Sequence, residues 1–192
     1  IGYWYNPEIW FPTDIRQARE SLGIADDAYV VGSFQRDTEG SDLSSPKLEK
    51  GPDLFVEYIK KIKKDKLLVL LGGWRRQYII RRLREEGIQY RYIELAPVDQ
   101  LREMYAACDL YVVSSRYEGG PQALLEASAM GVPVVSRDVG MAKDVLSQNC
   151  IVDIPETSYS PTKEDISFGI KNSENFKLVP IVGKYNDMFK KV

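Results

Sequence analysis

The sequence predicts an α/β domain of the doubly wound type, with about six parallel strands, and three observations carry that expectation. Strand-like and helix-like stretches alternate along the 192 residues, the order that produces a parallel sheet flanked by helices. Two of the strand-like stretches, AYVVGSF (28–34) and LLVLLG (67–72), are nearly continuous apolar runs, as expected of strands buried on both faces. The composition, 44% hydrophobic and 28% charged, supplies one sizeable core and an ordinary polar surface.

The chain opens with an aromatic-rich stretch, IGYWYNPEIWFP (1–12), which reads as a linker from a part of the protein lying upstream. Residues 14–22 read as a short helix, with Thr13 as N-cap and Gly23 as its stop. The strand 28–34 follows, then a long polar loop, QRDTEGSDLSSPKLEKG (35–51). PDLFVEYIKKIKK (52–64) carries Leu54, Phe55, Tyr58, Ile59 and Ile62 at helical spacing, with Pro52 suited to the first turn. After the strand 67–72 come a helix at 74–86 ended by Gly87, a strand at 89–95 and a helix at 98–107. A strand at 109–115 and a helix at 121–130 continue the rhythm, and VPVVS (132–136) and CIVDI (150–154) supply the last strands. Beyond Pro155 two edge helices are expected, within PTKEDISFGIKN (161–172) and PIVGKYNDMFKKV (180–192). The expected division is 1–27 for linker and first helix, 28–154 for the ligand-binding α/β unit and 155–192 for the C-terminal helices.

Charge and composition narrow the function. Twenty-six basic residues against 28 acidic ones leave a formal charge of −2, which gives no global field for nucleic acid. Two local basic clusters, KKIKKDK (60–66) and WRRQYIIRRLR (74–84), read as solvated helix faces. Contact with anionic lipid is the alternative. Histidine is absent, which removes Ser-His-Asp triads, Cys-His pairs and most zinc sites. Cys108 and Cys150 lack metal-ligand spacing and read as buried thiols of a reduced, cytoplasmic protein. No apolar run reaches membrane-spanning length, so membrane association, if any, would be peripheral.

In an open parallel sheet, ligands bind beyond the carboxyl ends of the strands. Two unusual stretches fall there: the 35–51 loop, and SRYEGGP (115–121). Both run into helix N-termini, where free N–H groups and the helix dipole favour anions. Glu118 and Glu126 stand eight positions apart, a spacing that recurs at Glu49/Glu57, Glu86/Glu94 and Glu156/Glu164. Context sets the first pair apart. Glu118 lies in a loop, Gly119 and Gly120 would let backbone approach a ligand, Pro121 starts a helix, and Glu126 sits about one and a half turns inside it. Such carboxylates suit vicinal hydroxyls, although acidic groups near a helix start also stabilise it without any ligand. Ala123, Leu124, Ala127 and Met130 read as core. Arg36, Lys47 and Lys50 form a cationic set able to neutralise a diphosphate, or else a solvated loop.

Taken together, VVGSFQRDTEG…PKLEKGPDLF and LREMYAACDLYVVSSRYEGGPQALLEASAMGVPVVSRDVG resemble the family 4 retaining glycosyltransferases of the GT-B fold. The resemblance covers roughly residues 30–146 plus NPEIWFP, and the matching part is the carboxyl-terminal, donor-binding Rossmann-like half. It implies that Glu118 holds sugar hydroxyls near the anomeric carbon and that Glu126 holds the ribose. It also implies that Arg36 and Lys50 bind the donor diphosphate. Backbone groups of Gly119, Gly120, Pro121, Gln122 and Ala123 would cradle diphosphate and sugar, with Leu95 near the base. The 35–51 loop is longer than the family's short R-x-P-E-K-G form, and Gln122 occupies a position that varies.

The implied donor is a UDP- or GDP-linked sugar, with neither metal nor other cofactor required. The implied partner is an acceptor-binding N-terminal domain, and the acceptor a glycan or lipid-linked sugar. Three rivals stand beside this reading: a sugar-nucleotide epimerase of the same fold, a non-catalytic sugar-nucleotide-binding domain, and a dinucleotide dehydrogenase. The last is disfavoured because no G-x-G-x-x-G follows any strand.

Overall fold

The computed structural model describes residues 3–189, with side chains through residue 183. Residues 1–2 of the expected linker and 190–192 of the expected last helix lie outside the described residues. The chain runs α1 (Ile15–Leu22), β1 (Tyr29–Ser33), β2 (Thr38–Glu39), β3 (Ser45–Pro46), α2 (Pro52–Lys61) and β4 (Leu67–Gly72). It continues through α3 (Gln77–Glu85), β5 (Tyr90–Ile93), α4 (Val98–Ala106), β6 (Leu110–Val113) and α5 (Gln122–Ala129). The final elements are β7 (Val134–Ser136), α6 (Ala142–Val145), α7 (Lys163–Ser173) and α8 (Leu178–Phe189).

One five-stranded sheet has the order β5-β4-β1-β6-β7, and every pairing in it is parallel. The alternation within each apolar run explains why both faces are buried. Val30, Leu70, Tyr111 and Val113 enter one core with residues of α1, α4 and α5. Val31, Val69, Leu71, Leu110 and Val112 enter the other with Phe55, Ile59, Ile79 and Leu83 of α2 and α3. Successive side chains of a strand point to opposite faces, so a run apolar at every position serves two helix layers. The strand order reverses between β1 and β6, and crevices form at such a switch point.

Several expectations need correction. Among the described residues the sheet has five strands, in keeping with the expected number of about six, but the last expected strand is not one of them. CIVDI begins as a 3₁₀ turn at Gln148–Cys150 and meets β7 through one isolated bridge, Ser136 to Ile151. Turn residues at 154–156 stop it from extending. The cap of α1 is Asp14, whose side chain accepts from the Gln17 N–H at 2.9 Å; the Thr13 hydroxyl instead donates to the Phe11 carbonyl. Residues 74–76 precede α3, because Gly73 and Arg75 take left-handed backbone conformations (φ 90° and 57°). The 35–51 loop is partly ordered by the β2–β3 hairpin and a 3₁₀ turn at Leu48–Lys50.

The basic stretch 74–84 is not wholly solvated either. Arg76 is fully buried. Its guanidinium pairs with buried Asp37, donates to the Ser33 and Gly72 carbonyls at 2.6 and 2.7 Å, and reaches the Ser33 hydroxyl. One side chain thus ties the ends of β1 and β4 to the start of the hairpin. Buried charges survive when every donor finds a partner.

Candidate functional site

The loops after β1 and β6 meet at the sheet's carboxyl edge. Lys50 ends the 3₁₀ turn, and Gly51 behind it has φ 61°. A Cβ at Gly51 would overlap the Ser114 carbonyl at the end of β6, so glycine lets the two loops touch. The Lys50 carbonyl accepts from Gln35 Nε2 at 3.0 Å and from the Ser114 hydroxyl at 3.2 Å. The Lys50 backbone is therefore fixed from both sides of the switch point.

Its side chain then reaches across: Lys50 Nζ donates to Glu118 Oε1 at 2.6 Å. The same oxygen accepts from the Ser115 hydroxyl at 2.8 Å. The Glu118 side chain is only 12% exposed, and a charge so placed requires such partners. Arg116 holds the loop from beneath with two bonds to the Asp53 carboxylate, 2.8 and 2.6 Å. This pairing holds the Asp53 carboxyl below its usual range. A cavity of about 530 Å³ opens here, lined by Lys47, Lys50, Glu118, Gly119, Asp138 and Gly140 among others.

Glu126 stands in a second cavity of about 560 Å³, whose lining includes Tyr3, Trp4, Tyr5, Trp10 and Gln122. The two cavities flank the turn 119–122, one lined by Gly119 and the other by Gln122. Glu126 Oε2 accepts from the Tyr105 hydroxyl at 2.9 Å. Burial raises its carboxyl to about 7, against the partial offset of Tyr105 and Gln122 hydrogen bonds. Pro121 precedes α5 as its N-cap, and no side chain caps that helix. The first N–H groups of a helix lack intrahelical partners, so these face the same turn.

The two glycines have different neighbours from those expected. A Cβ at Gly120 would overlap the Tyr3 ring, and at Gly119 it would come 3.0 Å from the Tyr3 hydroxyl. Gln122 Nε2 donates to the Trp4 carbonyl at 2.7 Å. The aromatic N-terminal segment therefore covers part of the turn. Ala123 is half-buried, while Leu124, Ala127 and Met130 are buried core.

The structure brings Lys50, Glu118 and the 119–122 turn together, with Glu126 around the corner. It does not bring the other two candidates there. Arg36 donates from Nε to the Thr38 carbonyl at 3.1 Å and lies 5.2 Å from the Trp74 ring centre. Leu95, in the turn two residues past β5, has φ 50°, is 71% exposed and lines neither cavity. Lys47 pairs with Glu49 at 3.0 Å. Sequence reasoning missed Ser115, Arg116, Asp53, Gly140 and Tyr105. The signal for Gly140 was its place after a strand: with φ 50°, a Cβ on it would press within 2.9 Å of Gly120 Cα.

The chain is similar to known proteins in sequence and in fold. The sequence pattern of the family described as "Glycosyl transferases group 1" matches residues 43–157. Among curated relatives, the lipopolysaccharide core biosynthesis mannosyltransferase LpsB of Rhizobium meliloti is 28% identical over 145 residues, which is 71% of this chain and 39% of that protein. The D-inositol 3-phosphate glycosyltransferase of Xylanimonas cellulosilytica is 33% identical over 135 residues, 67% of this chain and 30% of its own length. The chain thus spans between three tenths and two fifths of such relatives. Anabaena HepE, solved with UDP and glucose, superposes with a TM-score of 0.77 at 18% identity, over 98% of this chain and 56% of that one. The C-terminal domain of LpcC, a group 1 family protein of Francisella tularensis, gives 0.63 at 19% identity, over 94% of this chain and 98% of that domain. The chain belongs to the group 1 glycosyl transferases, as one α/β half of their GT-B architecture.

Proposed function

We propose that this chain is the donor-binding half of a retaining glycosyltransferase, taking a sugar from a nucleotide-diphospho-sugar. The observation that carries the reading is the Lys50–Glu118 pair at 2.6 Å, set beside the uncapped start of α5 at the switch point. Lys50 lines a cavity that ends at Gly119, a short turn before the first N–H groups of α5, and a cation close to a helix start suits a diphosphate. A carboxylate at the same mouth suits sugar hydroxyls, and Glu126 on the same helix suits a ribose. Residues 28–154 would form this unit, and an acceptor-binding domain would complete it. A UDP- or GDP-linked donor fits the reading.

The chemical demand is charge. As the bond from the anomeric carbon to the diphosphate oxygen breaks, its electrons go to the leaving phosphate. Lys50 and the α5 N–H groups would stabilise that charge as it grows. The acceptor oxygen bonds to the same face of the anomeric carbon, and its proton passes to the departing phosphate oxygen. No base from this chain is required, and Lys50 supplies positive charge where a metal ion otherwise would. Arg36, stacked on Trp74, would reach a diphosphate only after leaving that contact.

Calorimetric titration with UDP, GDP and ADP in EDTA tests the proposal. One nucleotide should bind, and Lys50→Ala and Glu126→Ala should each weaken it by about tenfold or more. Binding that is absent in EDTA and restored by a divalent cation would overturn the metal-free reading. Equal binding by wild type and both variants would overturn the site.

A further inference from the structure

Tyr105 sits where several elements converge on Glu126, and the proposed mechanism gives it no role. Its ring is buried against Trp10 of the N-terminal segment (5.6 Å between ring centres), Phe34 beyond β1 (4.8 Å) and Tyr111 of β6 (5.3 Å). Its hydroxyl donates to Glu126 Oε2 at 2.9 Å. The Tyr111 hydroxyl accepts from the Phe34 N–H at 3.0 Å and also neighbours the Tyr105 hydroxyl. The three rings hold the Tyr105 ring in place, with its hydroxyl bonded to the carboxylate.

We infer that Tyr105 is the positioning residue for Glu126, aiming its carboxylate into the aromatic cavity and favouring its ionised form. This rests on Glu126 being the ribose-holding group proposed above. The surroundings leave this task to few others. Gln122 on the same helix is the second hydrogen-bond partner. Tyr3 and Tyr5 face the cavity from the N-terminal segment, and no Lys or Arg lines it among the described residues. With no cation lining the cavity, neutral donors are what favour the charged carboxylate against its burial, and a phenol hydroxyl is a strong one.

The test follows the Glu126 side-chain carbon by ¹³C NMR across pH, assigned with Glu126→Gln. In Tyr105→Phe the titration midpoint should rise by about one pH unit, a tenfold gain in proton affinity. Tyr111→Phe, which removes a buried hydroxyl one step further from Glu126, should move the midpoint less than Tyr105→Phe does. A fluorinated tyrosine at position 105, a stronger donor of the same shape, should lower it. This opposite shift excludes a general loosening of the fold.

UDP titrations at several pH values supply the second readout. Tyr105→Phe should lose affinity most near neutral pH and regain it in alkali, where the carboxylate ionises regardless. A midpoint unmoved by either change at position 105 overturns the positioning role, whatever nucleotides do. A shifted midpoint in a protein that binds no nucleotide overturns the donor-site reading and leaves the Tyr105–Glu126 coupling standing.

Discussion

At the scale of single residues, Glu126 shows function and stability in opposition. Its carboxyl lies at about 7 in the fold, against an ordinary value of 4.5. Between those values the folded protein holds a proton that the unfolded chain releases. Stability therefore falls as pH rises from about 4.5 to about 7, then levels off. Glu126→Gln should melt at a higher temperature than wild type at pH 8, with the gap closing towards pH 5, while binding nucleotide more weakly. Thermal unfolding at the two pH values checks this, and a wild type equally or more stable at pH 8 would refute it. Residues also mark where sequence reading stops. Lys50 and Glu118 were legible because each lies in a polar loop beside a helix start, with glycine and proline around it. Arg76 and Asp37 were not, because a charged residue carries no local sign of burial. Only the approach of β1, β4 and the hairpin encloses them.

At the scale of elements, the turn carrying Lys50 depends on its joint to α2. Gly51 has φ 61° and no room for a side chain against the Ser114 carbonyl. Gly51→Ala should cost more than about 1 kcal/mol and weaken nucleotide binding beyond that of an unrelated substitution of equal stability cost. Denaturant unfolding and calorimetry on the same variant check both parts. Elsewhere α7 is fixed by a reciprocal cap between Thr162 and Asp165. Burial pushes the Asp165 carboxyl up, but bonds from Ser147, Tyr159 and Thr162 outweigh it and hold it at about 2. The long periodic helices and apolar strands were legible because their pattern repeats. The β2–β3 hairpin and α6 were not, since two- and four-residue elements carry no period to read. CIVDI misled because its composition suits a strand while the turn after it permits only one rung.

At the scale of the whole molecule, two cavities share one edge of one sheet, and the N-terminal segment reaches that edge from outside. The proposed donor elements all lie within this α/β half, and the proposal assigns the acceptor to a separate domain. The described chain should therefore bind donor nucleotide and transfer little or no sugar by itself. A radiolabelled-donor assay checks this, and robust transfer by these 192 residues would refute it. The aromatic segment is held at its far side by Tyr5, whose N–H donates to the Phe176 carbonyl and whose carbonyl accepts from the Leu178 N–H, both at 2.9 Å. The two stretches run parallel there. Tension applied before Tyr5 and after Leu178 would load that rung in shear, with both bonds resisting at once instead of peeling in turn. The same clasp holds Tyr3 and Trp4 near Gly120 and Gln122, so a mechanical pull on the segment would be felt at the turn between the cavities.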